Sequence, residues 1–254
     1  MYHFFVEPSQ VHTEEIEILG GDVNHISHVL RMKTGEEIVV NDGYGNEYGC
    51  RLCRFTETAV YAAILEKRRV ASELSSRITL YQCLPKGDKM ELIVQKAVEL
   101  GVSKIVPVAS RRCVVKLDDK KEANKRKRWQ AVAESAAKQS GRAIIPQVLP
   151  TVRFPEALMQ AKELDLCLIP YECAEELLAD GQDSAMQRTR KIMSGIQKGQ
   201  SVGIFIGPEG GFEKEEIEAA VKNGAKPVSL GKRILRTETA GLCILSVLMF
   251  QLEE

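Results

Sequence analysis

The sequence has no excess of charge of either sign: 35 Lys and Arg balance 35 Asp and Glu, for a formal net charge of +0. Taken whole, that balance argues against a polyanionic partner. Internal repeats and low-complexity segments are missing, which excludes solenoid arrays and disordered tails. Long apolar runs are missing too. The longest, residues 240–250, falls short of the roughly 20 residues a membrane span needs. The start, Met1-Tyr2-His3-Phe4-Phe5-Val6-Glu7-Pro8, lacks the basic n-region and the long apolar h-region of a signal peptide. Cysteine is neither scarce nor framework-like: the seven residues are an odd number, scattered through strand-like and helix-like stretches. The expectation is a reduced, cytoplasmic protein. With 254 residues, 44% hydrophobic and 28% charged, the chain suits one large or two modest globular domains.

Resolved by segment, the charge is uneven. Residues 1–75 hold 7 basic and 12 acidic side chains, 76–150 hold 16 and 7, and 151–254 hold 12 and 16. A basic middle is therefore hidden inside a neutral total, and such asymmetry points to a polyanion. The plain alternative is a solvated, Lys-rich helix face. The densest cluster, residues 120–129, fits that alternative, because it leads into Val132, Ala133, Ala136 and Ala137 at helical spacing.

The first seventy residues predict a small β-rich, barrel-like domain, with strands over 2–6, 36–41, 47–55 and 59–65. A hairpin is expected at Asn41-Asp42-Gly43-Tyr44-Gly45-Asn46. One helix is expected over 21–32, with Val23, Ile26, Val29 and Leu30 facing the core. The polar run 66–77 reads as a linker, giving domains of 1–70 and 77–254. From Ile78 strands alternate with helices, the pattern of a parallel α/β sheet. Strands are expected over 78–84, 105–109, 164–169, 202–206 and 227–230. Helices are expected over 88–100, 119–140, 155–163, 172–178, 184–197, 213–223 and 237–252. The last is apolar almost all round, which predicts burial in a core or an interface.

In open α/β sheets, ligands bind beyond the carboxyl ends of the strands. Three such ends carry unusual chemistry: Pro170-Tyr171-Glu172, Gly207-Pro208-Glu209-Gly210-Gly211, and the segment 231–240. The glycine loop lacks the Lys-Ser/Thr of a phosphate loop and the spacing of a dinucleotide fingerprint. The helix after it opens with Glu213, Glu215 and Glu216, which suit the helix dipole and would repel an anion. A neutral or cationic ligand fits better. A tight strand-to-helix turn with no ligand is the alternative.

Ile206-Gly207-Pro208-Glu209-Gly210-Gly211-Phe212, followed by Ser229-Leu230-Gly231-Lys232-Arg233-Ile234-Leu235-Arg236-Thr237-Glu238-Thr239-Ala240, resembles the bacterial 16S rRNA uridine N3-methyltransferase family of the SPOUT superfamily. Further matching motifs lie at 25–32 with Gly35, at Lys86-Gly87-Asp88-Lys89, at 95–101 and at Gln139-Ser140-Gly141-Arg142. The resemblance implies an α/β trefoil-knotted methyltransferase domain behind a PUA-like RNA-binding barrel, acting as a homodimer on 16S rRNA. It implies S-adenosylmethionine as cofactor, held without a metal by three loops. These are Ile169, Pro170 and Tyr171; then Gly207, Pro208, Glu209 and Gly211; then Leu230, Gly231, Ile234, Leu235, Thr239 and Ala240. Periodicity could not have shown a knot, since threaded chains are exceptions to the usual topology rules.

A sulfonium donor carries no phosphate, so glycine-bordered loops without a basic clamp are chemically sensible. The acceptor, uracil N3, must lose a proton. Histidine is the usual base, yet His3, His12, His25 and His28 all lie in the first domain. Arg236 is a candidate to stabilise negative charge on a uracil oxygen, unless it pairs with Glu238. Glu209 is a candidate base or cofactor-positioning group, unless it only caps its loop. Expected RNA contacts are His28 and Arg31, set at i and i+3 on one helix face, with Lys86, Lys89, Arg111, Arg112 and Arg142.

Three weaker signals are set aside. Cys50 and Cys53 have metal-like spacing, but on a strand i and i+3 face opposite ways. His25 and His28 lack a third ligand. Trp129 can stack on a base or pack against the sheet. The rival functions are the same fold acting on ribose 2′-O or a guanine nitrogen, and a non-catalytic RNA-binding assembly factor.

Overall fold

The computed structural model describes residues 2–69, 73–172 and 184–253. They fall into two compact units, Met1–Glu73 with Ala137–Ile145, and Leu74–Ala136 with Pro146–Glu254. The helix expected over 172–178 lies almost wholly outside the described residues.

The first unit is a five-stranded sheet of β1 (His3–Phe5), β2 (Glu15–Leu19), β3 (Glu37–Asn41), β4 (Asn46–Phe55) and β5 (Ala59–Arg69), in the order β1-β3-β4-β5-β2. Only β1 and β3 run parallel. Register shifts in the β4–β5 ladder at Gly49/Cys50 and Leu52/Arg54 curl the sheet. Among the described residues β1 and β2 end the ladder, so hydrogen bonds do not close it into a barrel. The hairpin turn forms as its residues dictate: Asp42 Oδ1 accepts from the N–H groups of Tyr44 (2.8 Å) and Asn46 (3.2 Å). Strand β2 was not expected, although Glu-Ile-Glu-Ile alternates and buries Ile16 and Ile18 fully. Its brevity and acidity hid it.

The expected helix over 21–32 is shorter and of mixed type. α1 (Gly21–Asn24) runs into a π turn, His25–Val29, closed by Leu30 N–H to His25 C=O at 2.8 Å. That extra residue per turn shifts the face, so Val23 and Ile26 are buried while Val29 is 64% exposed. The chain then reverses at Arg31, whose φ of 54° lies in the left-handed region. His28 and Arg31 therefore do not share a helical face. A non-glycine residue there carries about 1 kcal/mol of strain, and the reversal sends Met32 into the core.

The second unit is a parallel sheet. β6 (Arg77–Cys83), β7 (Lys104–Ala109), β8 (Gln147–Val148), β10 (Leu166–Pro170), β11 (Ser201–Ile206) and β12 (Lys226–Val228) lie in the order β12-β10-β11-β6-β7-β8. A short β9 (Val152–Arg153) also pairs with β7. β8 and β9, each of two residues, are too short to register as strands in the sequence. β11 is buried at every position, as a central parallel strand requires. The helices are α2 (Lys89–Glu99), α3 (Asp119–Ser140), α4 (Phe154–Ala161), α5 (Ala185–Ser194), α6 (Lys214–Lys222) and α7 (Thr237–Leu252). Tyr81 stacks on Phe205 at 4.5 Å and Phe154 meets the same ring edge-on at 5.8 Å, locking α4 to the sheet centre. Trp129 is buried on α3, which removes it from base stacking. α7 is buried along Gly241, Ile244, Leu245, Leu248 and Leu252, but its opposite side exposes Val247 and Phe250.

Candidate active site

Strands β10, β11 and β12 are adjacent and parallel, so the three unusual strand ends open on one edge of the sheet. The first loop is tied to the end of β12 by Tyr171 N–H donating to Val228 C=O at 3.0 Å. The second turns tightly, with Gly211 N–H bonded to Pro208 C=O at 2.9 Å and Gly211 at φ 68°. Gly207 packs closely on Phe212, whose ring would lie 3.3 Å from a Cβ at that position. The third loop turns at Gly231, φ 110°, after Ser229 N–H bonds to Thr189 Oγ1 of α5 at 2.8 Å. Leu230 and Leu235 are half-buried, whereas Ile234 is 84% exposed. Thr239 and Ala240 donate their N–H groups to Arg236 C=O, which starts α7.

A second layer holds these loops. Lys89 Nζ lies 2.9 Å from Glu209 Oε1 and 3.5 Å from Glu238 Oε2. Lys86 N–H donates to the same Glu209 oxygen at 3.0 Å. Partial burial pushes the Glu209 carboxyl up, but the Lys89 ammonium and the N–H groups of Glu209 and Lys86 outweigh it and hold it below its ordinary value. The hydrogen bond to Glu209, more than the burial that opposes it, holds the Lys89 ammonium above its own. Lys89 is thus committed to Glu209 and Glu238, while Lys232, Arg233 and Arg236 of the third loop are exposed.

Arg111 and Arg112, just beyond β7, brace the glycine loop. Arg112 Nη1 donates to Gly210 C=O at 2.8 Å, and Arg111 Nη1 to Glu213 Oε2 at 3.0 Å. Glu216, buried at the start of α6, accepts from Arg111 N–H at 3.0 Å and from Glu213 N–H at 3.0 Å. The expected dipole carboxylates are thus also braces. Arg236 is exposed, and among the described residues its guanidinium has no ion pair, because Glu238 turns to Lys89.

A family profile described as an RNA methyltransferase domain matches residues 72–249, and one described as an RNA methyltransferase PUA domain matches 18–62. Ribosomal RNA small subunit methyltransferase E of Bacillus subtilis is 38% identical over 100% of this chain and 98% of its own length. The chain belongs to the ribosomal RNA small subunit methyltransferase E family. The family protein of Mesomycoplasma hyopneumoniae is 35% identical over 97% of this chain and 98% of its own. The crystal structure of the family protein from Neisseria gonorrhoeae, bound to S-adenosyl methionine, superposes with a TM-score of 0.80 at 32% identity, covering 98% of this chain and 97% of that one.

Within this family frame the expected RNA contacts divide. His28 and Arg31 are exposed in the first unit. Lys89, Arg111 and Arg112 are engaged with Glu209, Glu213 and Gly210, so they act first as braces. Lys86 remains exposed while its backbone serves Glu209. Arg142 is corrected outright: its side chain is 6% exposed and paired with Glu73, Nη2 to Oε2 at 2.5 Å. Glu73 also takes the N–H groups of Ala143 and Ile144, so this pair is a clasp inside the first unit and not a phosphate contact. Gln82 escaped sequence reasoning, because a polar residue ending an apolar strand carries no signal of its own. Cys50 is buried and Cys53 exposed, as alternation requires.

Proposed function

We propose that this chain transfers a methyl group from S-adenosylmethionine to N3 of a uridine in 16S rRNA of the small ribosomal subunit. The observation that carries the reading is the common edge of β10, β11 and β12, where three strand-end loops meet, two of them turning at Gly211 and Gly231, and Lys89 ties Glu209 of the second to Glu238. One observation fits the cofactor: Gln82 Oε1, beside the second loop, is a buried acceptor with no partner among the described residues. Residues 169–171, 207–211 and 230–240 would hold it. When bound, the cofactor supplies an electrophilic methyl on a sulfonium.

The chain's own residues supply orientation and charge. Arg236, without an ion pair among the described residues, stabilises the negative charge that collects on a uracil oxygen as N3 gives its proton to solvent water and takes the methyl, leaving S-adenosylhomocysteine. Glu209 is a weak base while Lys89 and Lys86 N–H occupy it, so it positions the second loop. His28 and Arg31 hold RNA from the PUA-like unit.

The strand order, in which β11 fills the slot between β6 and β10, and the packing of α7 on α2 and β11, support a trefoil knot. The apolar face of α7, with Phe250 87% exposed, supports a homodimer. Among the described residues no helix is long and apolar enough to cross a membrane, and a ribosomal RNA substrate supports a cytoplasmic reaction. Mass spectrometry of 16S rRNA from a deletion strain tests the reading: one uridine methyl should disappear and return with the restored gene. An unchanged methylation profile refutes it.

A further inference from the structure

The glycine loop begins with a peptide that has only one handle. Between Gly207 and Pro208 there is no N–H, so the Gly207 carbonyl alone can fix that peptide plane. It accepts from Thr237 Oγ1 at 2.6 Å. The hydroxyl has one proton, and that bond uses it. Thr237 must therefore accept from its other neighbour, Gln82 Nε2, at 2.9 Å.

This settles the Gln82 amide. Its Nε2 also donates to Cys83 C=O at 3.0 Å. Reversed, the amide would set its oxygen against a carbonyl and against a hydroxyl already committed as a donor. Gln82 is fully buried at the end of β6, opposite Ile206 of β11, and Thr237 is 5% exposed at the start of α7. The amide oxygen is left without a partner among the described residues. A buried acceptor left unpaired is destabilising, so the site holds Gln82 against a stability penalty that an apolar residue would avoid.

We infer that Gln82 is a positioning residue for the cofactor site, acting through Thr237 to hold the Gly207 carbonyl, and with it the second loop, in one orientation. The relay ties three elements together: the end of β6, the loop after β11 and the first turn of α7. The inference rests on the cofactor assignment above and adds the residue that keeps its loop in register.

The test measures S-adenosylmethionine affinity by calorimetry, together with separate Michaelis constants for cofactor and RNA and the melting temperature. Thr237→Val and Gln82→Met each remove one link at nearly constant volume and should weaken cofactor affinity about tenfold, the worth of one buried neutral hydrogen bond. The Michaelis constant for RNA should stay within about twofold. Thr237→Ser keeps the hydroxyl and should recover affinity. The double variant Gln82→Met with Thr237→Val should be no weaker than the worse single one, since both cut one relay. Additive losses, or wild-type cofactor affinity in Thr237→Val, overturn the inference. If Gln82→Met fails to fold, the comparison of Thr237→Val with Thr237→Ser decides alone. A wild-type protein that binds no S-adenosylmethionine would instead overturn the cofactor assignment.

Discussion

The Lys89 ammonium sits 2.9 Å from Glu209 Oε1 and 3.5 Å from Glu238 Oε2, so one cation on α2 clamps the second loop to the helix that ends the third. Both contacts are partly solvated, and each is worth at most about 1 kcal/mol. Lys89→Met should therefore raise the Michaelis constant for S-adenosylmethionine by about fivefold. Glu209→Gln should keep at least about a tenth of the turnover, because loss of a true general base would cost a hundredfold or more. Initial rates at saturating RNA check both.

The same pair fixes a pH dependence. The Glu209 carboxyl is held below its ordinary value of 4.5, so its pairing is complete above that value and is lost only as pH falls through the lower folded one. Cofactor affinity should be flat between about pH 5 and 8 and weaken in stronger acid. A decline starting near neutrality would contradict the pairing.

Arg236→Ala should lower kcat by about a hundredfold or more while the Kd for S-adenosylmethionine stays within about threefold, as expected for a group that meets charge only during reaction. Calorimetry and single-turnover rates separate the two. Near-normal turnover would remove Arg236 from the mechanism.

Arg31 and Arg142 should behave oppositely. Arg31→Gly relieves the left-handed strain, so the melting temperature should hold or rise while RNA affinity falls and the salt slope shrinks by about one. Arg142→Met strands the Glu73 carboxylate and should destabilise the first unit by about 3–5 kcal/mol, with the salt slope unchanged. Salt-dependent filter binding and thermal melts distinguish them.

The proposed dimer through α7 predicts that Phe250→Asp, which places a charge on its exposed face, gives a monomer where the wild type is a dimer. Sedimentation velocity reads the change. A wild-type monomer would refute the dimer, and a dimeric Phe250→Asp would move its interface elsewhere.

Much of this was legible in the sequence. α3 and α7 run over the expected residues because both carry long helical patterns, and the five longer strands of the parallel sheet announce themselves as apolar runs. The three strand ends marked by the strand-end rule belong to adjacent parallel strands, β10, β11 and β12. What escaped was what periodicity cannot encode. The π turn changed which side Val29 faces, Arg31 ended the helix through its backbone, and Arg142 turned inward because Glu73, distant in sequence, offers three acceptor contacts. The basic middle segment, expected to lie on RNA, is partly structural: Arg111, Arg112 and Lys89 brace loops. Charge counts locate cations without saying whether their partners lie within the chain.

The central claim is tested most directly by incubating the purified protein with S-adenosylmethionine and small ribosomal subunits from a deletion strain, then separating the rRNA nucleosides by liquid chromatography and mass spectrometry. The account predicts new 3-methyluridine that is lost with Arg236→Ala. Methyl on ribose or guanine, or no transfer at all, would contradict it.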